Sequence, residues 1–204
     1  MTAELSVAPS CNQTNDLNNS NDKATVATTP VVAVIGFSNS GKTRVVAALV
    51  ESLTARGLKI AAIKHCPYGH EPTRTNSDSD RFYGAGAVVA IASSPDKRTT
   101  IERVVQGSSL ASLATRVQIQ VETQPDLIIS EGFKSSPVPK ILVIDDQKMA
   151  EPVTNIVATV GRDRARVGRD GSNLRVPNYS FNDLESSEEW LQKVFIQSPS
   201  VAIT

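Results

Sequence analysis

Val31-Val32-Ala33-Val34-Ile35-Gly36-Phe37-Ser38-Asn39-Ser40-Gly41-Lys42-Thr43-Arg44-Val45-Val46 is the stretch whose reading decides the fold. Five consecutive apolar residues run into Gly36, and Gly36, Gly41, Lys42 and Thr43 complete a G-x-x-x-x-G-K-[ST] pattern. A helix with apolar periodicity follows, so the pattern sits between a strand and a helix, the setting it requires. Each residue type has a physical reason. Gly36 and Gly41 let the backbone turn tightly and approach phosphate oxygens with no Cβ in the way. The N–H groups of Asn39, Ser40 and their neighbours then form a concave anion nest at a helix N-terminus, where the dipole favours negative charge. Lys42 is expected on the β- and γ-phosphates. The Thr43 hydroxyl is expected on Mg2+, a hard ion that prefers oxygen.

Working outward, 204 residues suffice for one α/β domain with a sizeable core. Lys plus Arg and Asp plus Glu balance at 21 each, so no global field argues for a nucleic-acid partner. Aromatic residues make up 4%, too few for base-stacking platforms. Cys11 and Cys66 have no paired spacing, which fits a reducing cytosol better than a disulfide framework. Met1 to Leu5 lacks a basic region followed by an apolar run, and no apolar stretch approaches the roughly 18 residues of a membrane span. A cytoplasmic protein without a membrane partner is expected.

Residues 1–29 are a different material: Asn12 to Asp22 is dominated by Asn, Asp, Ser and Thr. Such a segment buries too little apolar surface to offset its ordering entropy and reads as a disordered tail. Residues 30–197 read as one nucleotide-binding domain, and 198–204 as a short C-terminal tail. After the strand 31–35, Val45, Leu49 and Leu53 mark a helix over 42–56. Gly57 stands where a left-handed C-cap belongs. Leu58 to Ile63 reads as a second strand, giving a parallel βαβ unit. Lys64 to Ser79 is a long loop, and Asp78 or Ser79 is expected to cap a short helix through Tyr83. Residues 87–92 and 99–105 read as an antiparallel pair, and Ser108 or Ser109 as the cap of a helix carrying Leu110, Leu113, Ala114 and Val117. Strands are expected at 126–130, 140–144 and 156–160, a glycine- and arginine-rich loop at 161–175 and an amphipathic helix at 183–196. The fold class is therefore α/β, a P-loop NTPase three-layer α/β/α arrangement with a mostly parallel sheet and an antiparallel edge element.

A P-loop fold needs an acidic residue at the end of a neighbouring strand, to hold Mg2+ or to orient the attacking water. Glu131 follows the apolar run Leu127-Ile128-Ile129-Ser130, and the N–H of Gly132 is expected to face a γ-phosphate. Asp126, at the far end of that strand, lies about 16 Å away by strand length and is not chosen. A helix-capping or solvated role for Glu131 is the alternative.

Four stretches together carry a family resemblance: Gly36 to Thr43; Ile63-Lys64-His65; Asp78-Ser79 followed by Gly84-Ala85-Gly86-Ala87; and Leu127 to Lys134, ending Glu131-Gly132-Phe133-Lys134. Lys140, opening the next strand, also fits. In these the chain resembles the MobB family, the molybdopterin-guanine dinucleotide biosynthesis adaptor proteins, over about residues 30–197. The P-loop is shared by many families; Ile-Lys-His followed by Glu-Gly-Phe-Lys is far more specific. The resemblance implies a homodimeric P-loop protein that binds GTP with Mg2+ and hydrolyses it weakly. It implies work beside molybdenum cofactor guanylyltransferase, the enzyme that joins GMP to molybdopterin, and related cofactor-maturation proteins. It puts Gly36, Ser40, Gly41, Lys42 and Thr43 on phosphate and Glu131 near the metal, so that Lys42 and Glu131 are the catalytic candidates and Thr43 and Glu131 the metal candidates. The chain departs from the pattern at Cys66-Pro67-Tyr68, where further histidines are common, and at Asn76-Ser77-Asp78-Ser79, where a lysine is.

Other groups admit two readings. His65, Cys66 and His70 form either a soft-metal site or a polar loop, with no zinc-like spacing. Arg162, Arg164, Arg166, Arg169 and Arg175 suit an anionic ligand or acidic partner, or a solvated loop. Asp163 follows the last long strand and is the candidate for the guanine edge, although no Asn-Lys-x-Asp is present. Lys134 and Lys140 face an anionic ligand or solvent. Three rivals to the GTPase stand: a non-hydrolysing nucleotide-binding module, a small-molecule kinase and a metallochaperone GTPase.

Overall fold

The computed structural model describes residues 29–69, 77–144, 153–161 and 176–181. β1 (Val31–Ile35) is buried from Val32 onward. An unbroken apolar run is what a strand inside a parallel sheet requires, because both of its faces are covered. The chain continues through α1 (Lys42–Thr54), β2 (Ile60–Lys64), α2 (Asp78–Gly84), β3 (Val89–Ser93), β4 (Arg98–Glu102), α3 (Leu110–Gln120), β5 (Leu127–Glu131), β6 (Lys140–Val143), β7 (Ile156–Gly161) and β8 (Asn178–Ser180).

Six strands form a parallel sheet in the order β2-β5-β1-β6-β7-β8. β1 is thus flanked by β5 on one side and β6 on the other. In such sheets ligands bind outside the carboxyl ends of the strands, and that is where the glycine-rich loop leaves β1. α1 packs Val45, Leu49 and Leu53 onto the face bearing Val32, Val34, Leu127, Ile129 and Ile141. The opposite face carries Ala33, Ile35 and Leu142, packed by Val138, Ile144, Val153 and Ile156. The expected antiparallel element is present as β3 and β4, which pair with each other as a separate two-stranded sheet.

Local signals set most boundaries. α1 closes at a left-handed Gly57 (φ +86°): the Gly57 N–H donates to Thr54 O at 2.9 Å and the Leu58 N–H to Leu53 O at 3.2 Å. This is the two-bond Schellman closure. It consumes Leu58, so β2 begins at Ile60 rather than at 58. Ser109 caps α3, accepting from the Ser112 N–H at 3.1 Å. The cap of α2 is Ser77, which accepts from the Asp80 N–H at 3.3 Å, and neither Asp78 nor Ser79. β8 was not expected; three residues are too few to show a period. Asp126 accepts the Lys59 N–H at 2.7 Å at the end of the sheet away from the glycine-rich loop, in keeping with its exclusion from the site.

Lys140 departs from its expectation. It is fully buried and faces neither an anionic ligand nor solvent. Its ammonium donates to Val138 O at 3.2 Å and Thr154 O at 3.0 Å, and burial lowers its pKa from the ordinary lysine value. The tail expected over 1–29 except Thr29, the 161–175 loop beyond Gly161, the 183–196 helix and the tail 198–204 lie outside the described residues.

Candidate functional site

The loop from Gly36 to Thr43 is shaped as its residue types require. Gly36 has φ +154°, and a Cβ there would come within 2.7 Å of Val143 O and 2.8 Å of Ser40 Oγ. Asn39 is left-handed at φ 61°, a conformation that Asn tolerates. Gly41 precedes α1 beneath the ring of Phe181, and the Arg44 guanidinium lies 5.3 Å from the centre of that ring. No side chain caps the N-terminus of α1, and no acidic residue occupies its first turn. The first amides of a helix have no partner within the helix, so this end attracts an anion. Ser40 Oγ is buried and has no hydrogen-bond partner among the described residues. Lys42 folds back, its ammonium donating to Phe37 O of the same loop. An uncapped helix, an orphaned hydroxyl and a lysine held by one loop carbonyl together fit a polyphosphate.

β5 brings the acid. Its register sets Glu131 beside Val34 on one side and Lys64 on the other. Thr43 Oγ1 donates to Glu131 Oε2 at 2.8 Å, and Lys64 Nζ lies 3.6 Å from Glu131 Oε1. The Glu131 side chain is 13% exposed, so its charge works in a partly dehydrated setting. The residues fit Mg2+: both groups are oxygen donors, and their 2.8 Å separation is close to the roughly 3 Å edge of an octahedral shell. Among the described residues no group of three or more His, Cys, Asp or Glu could hold a metal. Mg2+ needs no such cage, because it keeps several waters and shares substrate phosphates.

Gly132 lines the site, but its N–H donates to Val34 O at 2.9 Å and does not face the phosphate position. The sheet takes that amide because a buried backbone donor must find an acceptor. Gly132 serves differently. At φ +96° it lets His65 cross closely, since a Cβ there would stand 2.8 Å from His65 Cβ. Phe133 follows at φ 57°, unusual for an aromatic residue. Its ring stacks on His65 at 4.5 Å and 26°.

These elements enclose one cleft of about 1120 Å³. Gly36, Asn39, Gly41, Lys42, Thr43, Glu131 and Gly132, all expected at the site, line it; Ser40, also expected there, is buried and does not line it. Asp163, His70 and the arginines of 162–175 lie outside the described residues. Sequence reasoning assigned no role to Lys64, Phe133 or Phe181. The adjacency of Lys64 and Glu131 follows from pairing β2 with β5, two strands far apart in the chain. No described helix is long and apolar enough to cross a membrane.

Residues 31–162 match a family model described as MobB, molybdopterin guanine dinucleotide synthesis protein B. The chain is 32% identical over 138 residues to the probable molybdopterin-guanine dinucleotide biosynthesis adapter protein of Bacillus subtilis, covering 65% of this chain and 76% of that protein. It is 29% identical over 171 residues to the Escherichia coli adapter protein, covering 80% and 94% respectively. The crystal structure of Bacillus subtilis MobB superposes with a TM-score of 0.66 at 26% identity, covering 81% of this chain and 98% of that one.

Proposed function

The chain belongs to the MobB family, and from that premise we propose that it is a GTP-binding adapter with slow Mg2+-dependent GTPase activity in molybdopterin-guanine dinucleotide biosynthesis. The observation that carries the nucleotide reading is the Thr43–Glu131 contact beside an uncapped helix N-terminus. The family carries the biosynthetic context. Its partners are the guanylyltransferase that joins GMP to molybdopterin and related cofactor-maturation proteins. It works in the cytoplasm as a homodimer, and residues 30–197 form its nucleotide-binding domain. The outward face of β3, with Val89 and Ile91 exposed, offers a second copy an apolar surface.

The chemistry is in-line hydrolysis. A water oxygen bonds to the γ-phosphorus, the bond from that phosphorus to the β,γ-bridging oxygen breaks, and GDP leaves with the electron pair. The water's proton passes to the released phosphate. Lys42 and the α1 amides hold the charge that develops on the phosphoryl oxygens. Glu131 orients the metal or the attacking water, and Thr43 Oγ1 and Glu131 would hold Mg2+. When bound, Mg2+ would supply charge neutralisation to the phosphates. Asp163 is proposed for the guanine edge.

Competition of GTP and ATP against a fluorescent guanine nucleotide tests base preference and binding together. Lys42→Ala should weaken triphosphate binding by roughly ten- to a hundredfold, the worth of a charged hydrogen bond. Unchanged affinity in that variant, with a folded circular dichroism spectrum, overturns the reading.

A further inference from the structure

We propose that Lys64 is the resident cation of the reaction, paired with Glu131 in the cleft and transferred to the γ-phosphate when Mg2+ and nucleotide bind. The inference rests on the nucleotide reading above. Lys64 is the last residue of β2, and the register fixes it opposite Glu131 at the carboxyl end of the sheet. Its side chain is 57% exposed, lines the same cleft as Lys42 and Thr43, and stands 3.6 Å from Glu131 Oε1. That pair is long and half-exposed, so little holds the ammonium in place. Glu131 does not depend on it, because Oε2 already accepts from Thr43.

A divalent ion held at Thr43 Oγ1 and Glu131 Oε2 would set two positive charges beside the ammonium resting at Oε1, and like charges that close repel strongly in a partly dehydrated cleft. Lys64 then loses Glu131 as a partner. Its flexible four-carbon stem is anchored at the strand end, so the charge stays inside the cleft. The nearest concentrated negative charge is the terminal phosphate, whose equatorial oxygens Lys64 approaches from the β2 side while Lys42 approaches from the loop. Other phosphoryl-transfer proteins fill this role with an arginine, in some cases from a partner. Here a lysine in the same chain would supply it. During hydrolysis it stabilises the charge spread over those oxygens, and it neither gives nor takes a proton.

The test uses the full chain with Lys64→Met and Lys64→Arg. Affinities for methylanthraniloyl GDP and for the matching imidodiphosphate triphosphate analogue are measured across a Mg2+ series, alongside single-turnover GTP hydrolysis. Lys64→Met should lose preference for triphosphate over diphosphate by roughly tenfold or more, and its hydrolysis should fall at least as far. Its GDP complex should form at lower Mg2+, since a competing cation is gone. Lys64→Arg should keep the triphosphate preference. Wild-type preference and rate in Lys64→Met overturn the assignment, as does an equal loss of both nucleotides, which would mark Lys64 as a support of the loop. In both cases nucleotide binding by the wild type leaves the proposed function standing. A wild type that binds neither nucleotide overturns both.

Discussion

Thr43 and Glu131 are 88 positions apart in the chain, and their side-chain oxygens meet at 2.8 Å. One comes from the first turn of α1, the other from the end of β5. What joins them is the parallel register of β1 with β5, which sets Val34 beside Glu131. An ion bound between them would therefore tie the glycine-rich loop to β5 through two elements that the sheet already holds together.

Glu131→Gln isolates the charge from the shape. An amide still accepts the Thr43 hydroxyl, so the fold should hold and nucleotide affinity without Mg2+ should not fall, a negative charge beside the phosphates having been removed. The Mg2+ needed for half-maximal stimulation should rise by roughly an order of magnitude, because a charged oxygen ligand has become neutral. Calorimetric titration of Mg2+ into the nucleotide complex measures this.

Gly132→Ala should destabilise the protein by about 1–3 kcal/mol in urea unfolding, through left-handed strain and the 2.8 Å approach to His65 Cβ. Repeating the substitution in a His65→Gly background should recover part of that loss. Equal losses in both backgrounds would show that the clash contributes nothing.

Burial lowers the pKa of Lys140, so the unfolded chain holds this proton more readily than the folded chain. Wild-type stability should therefore rise with pH between the lowered folded value and the ordinary lysine value. Lys140→Met should lack this contribution, so the stability difference between wild type and variant should move in favour of the wild type as pH is raised. Urea midpoints for the pair across the alkaline range check the sign.

Much of the glycine-rich loop, with the strand before it and the helix after it, was legible because its signals are local. The apolar run 31–35, the glycine spacing and the stripe Val45, Leu49 and Leu53 lie within one stretch. The acid strand was legible for the same reason. What escaped depends on pairing between distant segments. Lys64 meets Glu131 because β5 lies between β1 and β2, an order that no local pattern writes. Lys140, a lysine opening a strand, reads as surface, yet two backbone carbonyls accept it inside. The Gly132 amide was expected on phosphate, but Val34 O claims it. Phe133 gives no hint in sequence of its left-handed backbone, which follows from the turn that stacks it on His65.

β3 and β4 pair with no other strand among the described residues, and Val89 and Ile91 point outward from them. A ribbon of two strands is barely stable by itself, and α2 lies against both of its strands. Its ladder is separate from the one that positions Gly36 and Glu131. Loosening of the ribbon, or pairing of a further strand along its rim, would therefore break no hydrogen bond of the ladder beneath the cleft.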